Sequence, residues 1–282
     1  MKVLLIGMGR MGSLHKKYLS ELNVDWSWYD PYHSNADKDL ELRKISELNN
    51  LSEFTHTIIA SPTDTHEDML CKLINTTDLK ILVEKPGVIN KANIHLLKND
   101  NVSVGMVERF NPSFNTLLRN TDKQNILNID FIRCSARPVS RIDTNSFVDV
   151  GIHDLDLFCQ IYDLKEIKDI MALRKNNTFT LTVQTDAGHI VRFIWSNETF
   201  HKERRVCVRQ LDYNLQCDLA DQVVKKFYIT KDSKNVVEDL YVEKKSPLLS
   251  ELQHFLFKDE KIDAIDSHSI FLDILKNNFT DV

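Results

Sequence analysis

The spacing of hydrophobic positions changes partway along the chain. In the first hundred residues, short apolar runs alternate with stretches whose apolar residues recur at helical spacing. The predicted strands are residues 3–6, 26–29, 57–60, 81–83 and 102–105, and the predicted helices are residues 11–22, 64–74 and 91–97. Short apolar strands that alternate with helices are typical of parallel βαβ units. This region is therefore predicted to form an α/β domain with a doubly wound parallel sheet.

After about residue 110 the apolar positions alternate with a period of two. Predicted strands cover residues 126–137, 179–183, 190–195, 205–209, 215–219 and 226–229. Predicted helices cover residues 151–161 and 266–277, and a further helix is predicted to begin at Pro247. Strands with one polar side are typical of an antiparallel sheet with an open face. We predict a first domain of residues 1–110 and an α+β domain of residues 111–282 with a large, mainly antiparallel, open sheet.

Composition and charge exclude several classes of protein. The chain has 282 residues, of which 42% are hydrophobic and 27% charged, as is ordinary for a folded globular protein. Its net charge of −5 disfavours non-specific binding to nucleic acid. Apolar runs are too short for a membrane span or a signal peptide, and five scattered cysteines without a CxxC pair indicate reduced thiols. We expect a cytoplasmic protein with no metal, nucleic-acid or membrane partner.

A glycine motif connects the first predicted strand to the first predicted helix. Its sequence is Gly7-Met8-Gly9-Arg10-Met11-Gly12, and this context favours a Rossmann dinucleotide site. The first glycine permits a tight turn, the second lets a pyrophosphate approach the backbone, and the third allows close packing of helix on strand. The pyrophosphate would rest on the helix N-terminus. The predicted cofactor contacts are Gly7, Gly9, Arg10, Met11 and Gly12.

The second predicted strand ends in a carboxylate. Asp30 lies 18 residues after Gly12, close to the spacing of about 20 expected for the acid that binds the adenosine ribose. A carboxylate there accepts a hydrogen bond from a 2′-hydroxyl and repels a 2′-phosphate, so we predict NAD in preference to NADP. The alternative is an Asp30-Pro31 turn that binds no ligand.

Two further polar segments follow the third and fourth predicted strands. Both fall at the carboxyl edge of the sheet, where ligands bind in such folds. A lysine there would face the nicotinamide, whose positive charge would lower the lysine pKa. The predicted cofactor contacts are Ser61, Pro62, Thr63, His66, Glu84 and Lys85. The alternatives are local packing for His66 and a solvated loop position for Lys85.

A third polar group begins the predicted helix of the second domain. Asp149 and His153 are four residues apart and share one helix face with Asp156. A carboxylate beside an imidazole orients the ring and stabilises its charged form. The alternative is that Asp149 caps the helix and His153 is a structural residue.

Taken together, these motifs resemble the glucose–fructose oxidoreductase/inositol dehydrogenase (Gfo/Idh/MocA) family over essentially the whole chain. The resemblance implies that Lys85 and His153 are the catalytic pair, and that Asp149 orients the histidine or contacts sugar hydroxyls. It also implies homodimers or homotetramers formed through the open face of the second sheet.

Two segments are similar to the UDP-N-acetylglucosamine 3-dehydrogenase branch of that family. They are Val104–Pro112, which in that branch joins the domains beside the nicotinamide, and Pro247–Phe255. The predicted substrate contacts are Glu108, Arg109, Asn111, Arg137, Asp149 and His153. Arginine suits bidentate contacts with a diphosphate. Arg109 and Arg137 also fit a role as surface charges or interdomain ion pairs.

The resemblance implies an NAD-dependent dehydrogenase that transfers a hydride between the nicotinamide and a sugar ring carbon, C3 of a UDP-linked N-acetyl amino sugar. His153 would take the hydroxyl proton, and Lys85 would polarise the forming carbonyl. One alternative is a reductase of a non-sugar substrate, similar to the biliverdin reductases. Another is a non-catalytic sensor that binds a dinucleotide.

Overall fold

A computed structural model of the chain describes residues 1–31, 51–136, 146–258 and 260–278. Contacts between residues divide the chain into two compact units. The first unit comprises Met1–Met106 and Leu248–Leu272, and the second comprises Val107–Pro247 and Asp273–Val282. A late stretch of the chain thus packs with the first sheet. The functional division at residue 110 stays a prediction.

Among the described residues, the first unit contains a five-stranded parallel sheet. Its strands are β1 (Lys2–Ile6), β2 (Asp25–Tyr29), β3 (His56–Ile59), β4 (Lys80–Glu84) and β5 (Val102–Gly105). The strand order is β2-β1-β3-β4-β5, so the order reverses between β1 and β3. The middle strands are almost wholly buried, as expected for a parallel sheet covered on both faces. The predicted doubly wound sheet is confirmed.

The α-helices are divided between the two units. The six α-helices in the described ranges are α1 (Arg10–Glu21), α2 (His66–Thr76), α3 (Pro112–Arg119), α4 (Ile152–Cys159), α5 (Pro247–Phe257) and α6 (Ile265–Asn278). The helix predicted at residues 91–97 is present as a 3₁₀ helix, Lys91–Lys98. The Asn93 N–H bonds to the carbonyl of Asn90, three residues back, and so sets the tighter turn at the start.

The second unit contains an eight-stranded sheet within the described part of the chain. Its strands are β6 (Ile126–Ala136), β7 (Ile167–Lys175), β8 (Thr178–Thr185), β9 (Ile190–Ser196), β10 (Glu198–Gln210), β11 (Tyr213–Asp218), β12 (Val223–Ile229) and β13 (Asn235–Leu240). The order is β13-β12-β11-β10-β6-β9-β8-β7, and every pair is antiparallel except β6 with β9. The predicted open, mainly antiparallel sheet is confirmed.

The sequence analysis missed the two edge strands, β7 and β13. Both are largely exposed, and their sequences, IKDIMALRK and NVVEDL, carry charges where a half-buried strand would alternate. Edge strands pair on one side only, so burial imposes a weaker pattern on them. The hydrophobic pattern therefore revealed the centre of the sheet and not its edges.

One face of the second sheet packs through aromatic side chains against α4, by Phe158 on Phe193, and against the turn that precedes α4. The rings of Phe131 and Phe193 stack with centroids 4.9 Å apart, and Phe147 stacks on Phe179 at 5.0 Å. Trp195 is fully buried in the same cluster. Aromatic pairs at these spacings add to the burial of apolar area, so this face forms the core of the second unit.

No helix in the described ranges is both long and apolar enough to cross a membrane.

Candidate functional site

The glycine motif forms the turn between β1 and α1. Gly7 has a φ of +91°, and a Cβ built there would lie 2.6 Å from the Ser61 nitrogen. A Cβ on Gly12 would lie 1.9 Å from the Gly7 carbonyl oxygen. At Gly9, by contrast, no described atom lies within 4 Å of a built Cβ. The protein's own packing thus requires the first and third glycines, and the second has an open side that a ligand can approach.

The N-terminus of α1 lies at this open side. The helix begins at Arg10, and its N-cap, Gly9, has no side chain to occupy the free N–H groups. Its first turn carries no acidic side chain that would repel an anion. Free N–H groups and the helix dipole favour a phosphate at such a position. The residues present therefore fit the pyrophosphate of a dinucleotide.

Asp30 follows β2 and contacts the same loop. Its Oδ2 atom accepts a hydrogen bond from the Met8 N–H at 2.8 Å, and the side chain is half-buried. This contact holds the carboxylate beside the glycine turn, at the end of a strand neighbouring β1. Binding of Asp30 to a ribose stays a prediction.

The segment after β3 forms a short turn closed by side-chain hydroxyls. The Oγ atom of Ser61 lies 2.7 Å from Oγ1 of Thr65, which donates to the carbonyl of Pro62. His66 begins α2 and is 1% exposed. Its Nδ1 lies 2.9 Å from the carbonyl oxygen of Pro86, and its Nε2 lies 3.0 Å from that of Ser61. This ring therefore connects the loops that follow β3 and β4.

The segment after β4 contains a buried carboxylate. The Oε1 atom of Glu84 accepts from Nε2 of His15 at 2.7 Å, and its Oε2 accepts from the Lys85 N–H at 3.3 Å. The Gly87 N–H in turn donates to Nε2 of His268 at 3.0 Å. Sequence reasoning missed His15 and His268. The available signal was helical periodicity, which places both on the apolar faces of predicted helices.

In the second unit, Asp149 and His153 lie on successive turns of one helical segment. Asp149 belongs to a π-helical turn, Phe147–Gly151, that runs directly into α4. It therefore lies inside the helical segment, and the alternative of a capping role for it is wrong. A Cβ on Gly151 would lie 2.7 Å from the Phe147 ring, so the turn packs tightly. His153 is 9% exposed. Single π turns are frequent at functional sites.

A buried ion network holds α4 to the second sheet. Arg133 on β6 donates to Asp154 through Nη2 at 2.7 Å and to Glu108 through Nη1 at 2.8 Å. The Trp195 indole also donates to Asp154, at 2.8 Å. Burial raises the pKa of Glu108, but the charge and hydrogen bond of Arg133, together with the charge of Arg204 and the hydrogen bond from Asn111, outweigh it, so that pKa lies below its ordinary value. Both carboxylates are thus ionic partners of one buried guanidinium.

The predicted substrate contacts after β5 take part in this network or adjoin it. Asn111 donates to Oε2 of Glu108 at 3.0 Å and to the carbonyl of Leu219 at 2.9 Å. Arg109 makes a two-point ion pair with the buried Asp156 of α4. These contacts give Glu108, Arg109 and Asn111 a structural role in the second unit. Their contact with substrate stays a prediction.

Two predictions fall beyond what the structure describes. Arg137 lies outside the described residues. Lys85 and His153 belong to different units, and their cooperation in catalysis stays a prediction. Within the described ranges, no three His, Cys, Asp or Glu side chains are grouped so as to hold a metal ion.

The doubly wound sheet with its glycine turn and the large, mainly antiparallel sheet together match the fold of solved Gfo/Idh/MocA-type oxidoreductases. Over 98% of this chain and 96% of the other, the structure matches UDP-N-acetylglucosamine 3-dehydrogenase GnnA from Acidithiobacillus ferrooxidans, with a TM-score of 0.82 and 19% identity. A protein from Desulfitobacterium hafniense, provisionally described as an NADPH-dependent oxidoreductase, matches with a TM-score of 0.81 and 13% identity over 98% and 94% of the two chains.

The sequence comparisons reach less far along the chain. Inositol 2-dehydrogenase of Rhizobium meliloti (strain 1021) is 26% identical over 174 residues, 54% of this chain and 52% of that enzyme. The match thus spans about half the length of this curated relative. No family model matches the chain. The resemblance inferred from the motifs is confirmed as a likeness of fold to Gfo/Idh/MocA-type oxidoreductases.

Proposed function

We propose that this protein is an NAD-dependent oxidoreductase that transfers a hydride between a nicotinamide dinucleotide and a hydroxyl-bearing ring carbon of a sugar. The observation that carries the proposal is the geometry of the glycine turn. Gly7 and Gly12 are packed against protein atoms, whereas Gly9 is open beside the uncapped N-terminus of α1. A ligand that approaches the backbone closely would account for that open position.

The cofactor would be held at the carboxyl edge of the first sheet. The first-turn N–H groups of α1 would bind its pyrophosphate, and Asp30 would accept a hydrogen bond from a ribose hydroxyl. Bound NAD supplies the acceptor for the hydride. We propose NAD in preference to NADP because a 2′-phosphate would meet the carboxylate of Asp30.

The chain's own residues would handle the proton. His153 would take the proton of the substrate hydroxyl as that group becomes a carbonyl, and Lys85 would hydrogen-bond to the same oxygen. Asp149, one turn before the histidine, would orient its ring. General acid–base assistance of this kind contributes roughly 10²–10⁴-fold to a rate.

The substrate class we propose is a nucleotide-linked amino sugar, oxidised at C3. The support is the name of the structural relative GnnA, a UDP-N-acetylglucosamine 3-dehydrogenase, which the fold matches over 98% of this chain. The motif similarity of Val104–Pro112 and Pro247–Phe255 to that branch adds to it. A substrate diphosphate would suit Arg109 and Arg137, the two arginines predicted to contact the substrate.

The test is the appearance of NADH absorbance when the protein meets NAD and a panel of UDP-N-acetylhexosamines, with the panel repeated under NADP. We expect turnover with one sugar, and a loss of about 100-fold or more in kcat for Lys85→Ala and His153→Ala. Lys98→Ala and His95→Ala, which change exposed side chains of the same unit as Lys85, serve as controls and should leave kcat unchanged.

Three outcomes would contradict parts of this proposal. A near-wild-type rate in either alanine variant would overturn the role of that residue. Turnover of a tetrapyrrole, with none of any sugar or its 3-keto product, would favour the biliverdin-reductase alternative. A dinucleotide that binds tightly and turns over with no substrate of either kind would favour the sensor.

We also propose that the protein forms homodimers or homotetramers through the open face of the second sheet. The register places Met171 and Leu173 on that face, and these residues are 55% and 61% exposed. Exposed apolar residues of this kind are typical of association surfaces. Sedimentation analysis should show an oligomer that Leu173→Arg dissociates, whereas a monomeric wild type would contradict the proposal.

A further inference from the structure

Three buried histidines from three helices surround the segment that follows β4. His15 lies on α1, His66 begins α2 and His268 lies on α6, and all three are at most 1% exposed. Each contacts the four-residue segment Glu84–Gly87. Lys85 lies within this segment. The proposed chemistry uses neither His15 nor His268, so their burial beside it calls for a different explanation.

His268 bonds to the main chain just beyond the segment's proline. Its Nδ1–H donates to the carbonyl of Ala264 at 2.7 Å, and its Nε2 accepts the Gly87 N–H at 3.0 Å. An imidazole that donates from one nitrogen and accepts at the other must be neutral and in one tautomer. Burial lowers the pKa of His268 to about 4, which keeps the ring neutral. The ring therefore acts as a fixed acceptor for Gly87.

His66 bonds to the preceding residue, Pro86, and His15 bonds to the side chain of Glu84. Nδ1 of His66 lies 2.9 Å from the carbonyl oxygen of Pro86. His15 donates to Oε1 of Glu84 at 2.7 Å, and Oε2 of the same carboxylate accepts the Lys85 N–H. The main-chain groups of Pro86 and Gly87 thus bond directly to a buried imidazole, and the N–H of Lys85 bonds to a carboxylate that a third imidazole holds. This arrangement fixes the backbone on both sides of the lysine side chain.

We propose that His15, His66 and His268 are positioning residues for Lys85, holding its backbone so that the amine reaches the reacting oxygen. The proposal rests on the proposed function, because it assigns Lys85 a role in catalysis. Misplacement of a catalytic group by about 1 Å costs on the order of 100-fold in rate. A backbone fixed by three separate helices restricts such movement.

The chain offers a direct reporter of this arrangement. It contains seven glycines, so protein labelled with ¹⁵N-glycine gives seven amide signals, among them Gly87. The Gly87 N–H is buried and bonded to His268, so its exchange with solvent should be slow. Gly151, buried in the π-helical turn before α4, reports the stability of the second unit.

The variants separate a positioning role from a general loss of packing. His268→Leu removes the acceptor, and His268→Gln supplies an amide oxygen in its place. His56→Leu is the matched control, because His56 is also buried in the first unit but packs against Phe255 at the amino end of β3. His66→Leu removes the contact to Pro86 and gives a second test if His268→Leu does not fold.

We expect His268→Leu to accelerate Gly87 exchange about 100-fold, with His268→Gln restoring much of the protection. The Gly151 exchange should change no more than it does in His56→Leu. With the substrate found by the absorbance assay, kcat should fall about tenfold in His268→Leu while the cofactor Kd stays within twofold. His56→Leu should leave both constants unchanged.

Several results would overturn the positioning role. These are Gly87 exchange that His268→Leu leaves unchanged, equal acceleration at Gly87 and Gly151, or an unaltered kcat in a variant whose Gly87 exchange is fast. A wild-type protein without turnover would contradict the proposed function alone, because the Gly87 exchange would still decide whether the histidines hold the segment.

Discussion

The carboxyl edge of the parallel sheet and the surroundings of α4 are stabilised in different ways. At the sheet edge, buried histidines bond to main-chain groups of Pro86 and Gly87. Around α4, full charges are buried, and the guanidinium of Arg133 bridges Asp154 and Glu108. The first arrangement fixes the path of the backbone, whereas the second fixes side chains to one another.

This difference suggests how each region serves the proposed chemistry. A cofactor that binds to main-chain N–H groups requires loops with a fixed path, and hydrogen bonds from buried side chains to main-chain groups provide that path. A helix that carries a proton-transferring histidine requires a fixed rotation about its axis. Buried ion pairs, which are strongly directional when hydrogen-bonded at several points, meet that requirement.

The largest effect is expected from Arg133→Met. The change leaves Glu108 and Asp154 buried without their shared cation, and loss of one partner of a buried pair costs about 3–5 kcal/mol. The free energy of unfolding, measured in urea, should fall by that amount. In Arg133→Lys, which keeps the charge but loses the forked geometry, the free energy of unfolding should fall by less. A loss below about 1 kcal/mol for Arg133→Met would show that the network contributes little.

Acidification should weaken the sheet edge through His268. Its pKa is about 4 in the folded protein against an ordinary value of 6.5, so the unfolded chain takes up the proton first as the pH falls. Its contribution is therefore complete above pH 6.5 and is lost between pH 6.5 and 4, by up to about 3 kcal/mol. Urea unfolding across this range should show a smaller loss in His268→Leu. Parallel curves for the two proteins would refute this.

Alanine at Gly9 and at Gly12 should separate binding from stability. Gly9 has a φ of −69° and open surroundings, so Gly9→Ala should unfold as the wild type does. Its methyl group would meet the cofactor, and we expect the NADH Kd to rise about tenfold, or roughly 1.4 kcal/mol. Gly12→Ala should instead lower the melting temperature, because its Cβ would overlap the Gly7 carbonyl. Unaltered NADH affinity in Gly9→Ala would argue against a dinucleotide at this turn.

The smallest effect is expected from Arg192→Met on the open face of the second sheet. Arg192 pairs with Asp130, but its side chain is 51% exposed, and Arg209 also pairs with the same carboxylate. Exposed ion pairs contribute about 0–1 kcal/mol. The urea midpoint should therefore barely change. A loss as large as that of Arg133→Met would remove the distinction between buried and exposed pairs.

The sequence by itself determined the class of fold and identified the loops at the carboxyl edge of the first sheet. Short apolar strands and the glycine motif predicted the parallel sheet, because strands buried on both faces leave a strong hydrophobic pattern. Alternation predicted the centre of the second sheet for a similar reason. Motif position after a strand also placed Ser61 and Glu84 at the carboxyl edge, since parallel strands end on one side.

The tertiary structure alone decided which polar side chains meet. His268 reaches Gly87 across 181 positions, and Arg133 reaches Asp154 across 21, separations at which no local periodicity acts. The hydrophobic pattern likewise did not predict the edge strands β7 and β13, because pairing on one side imposes little burial. A hydrophobic pattern records which face of an element is buried. It does not record what that face is buried against. The tertiary packing of α1, α2 and α6 placed the three histidines around the segment that contains Lys85.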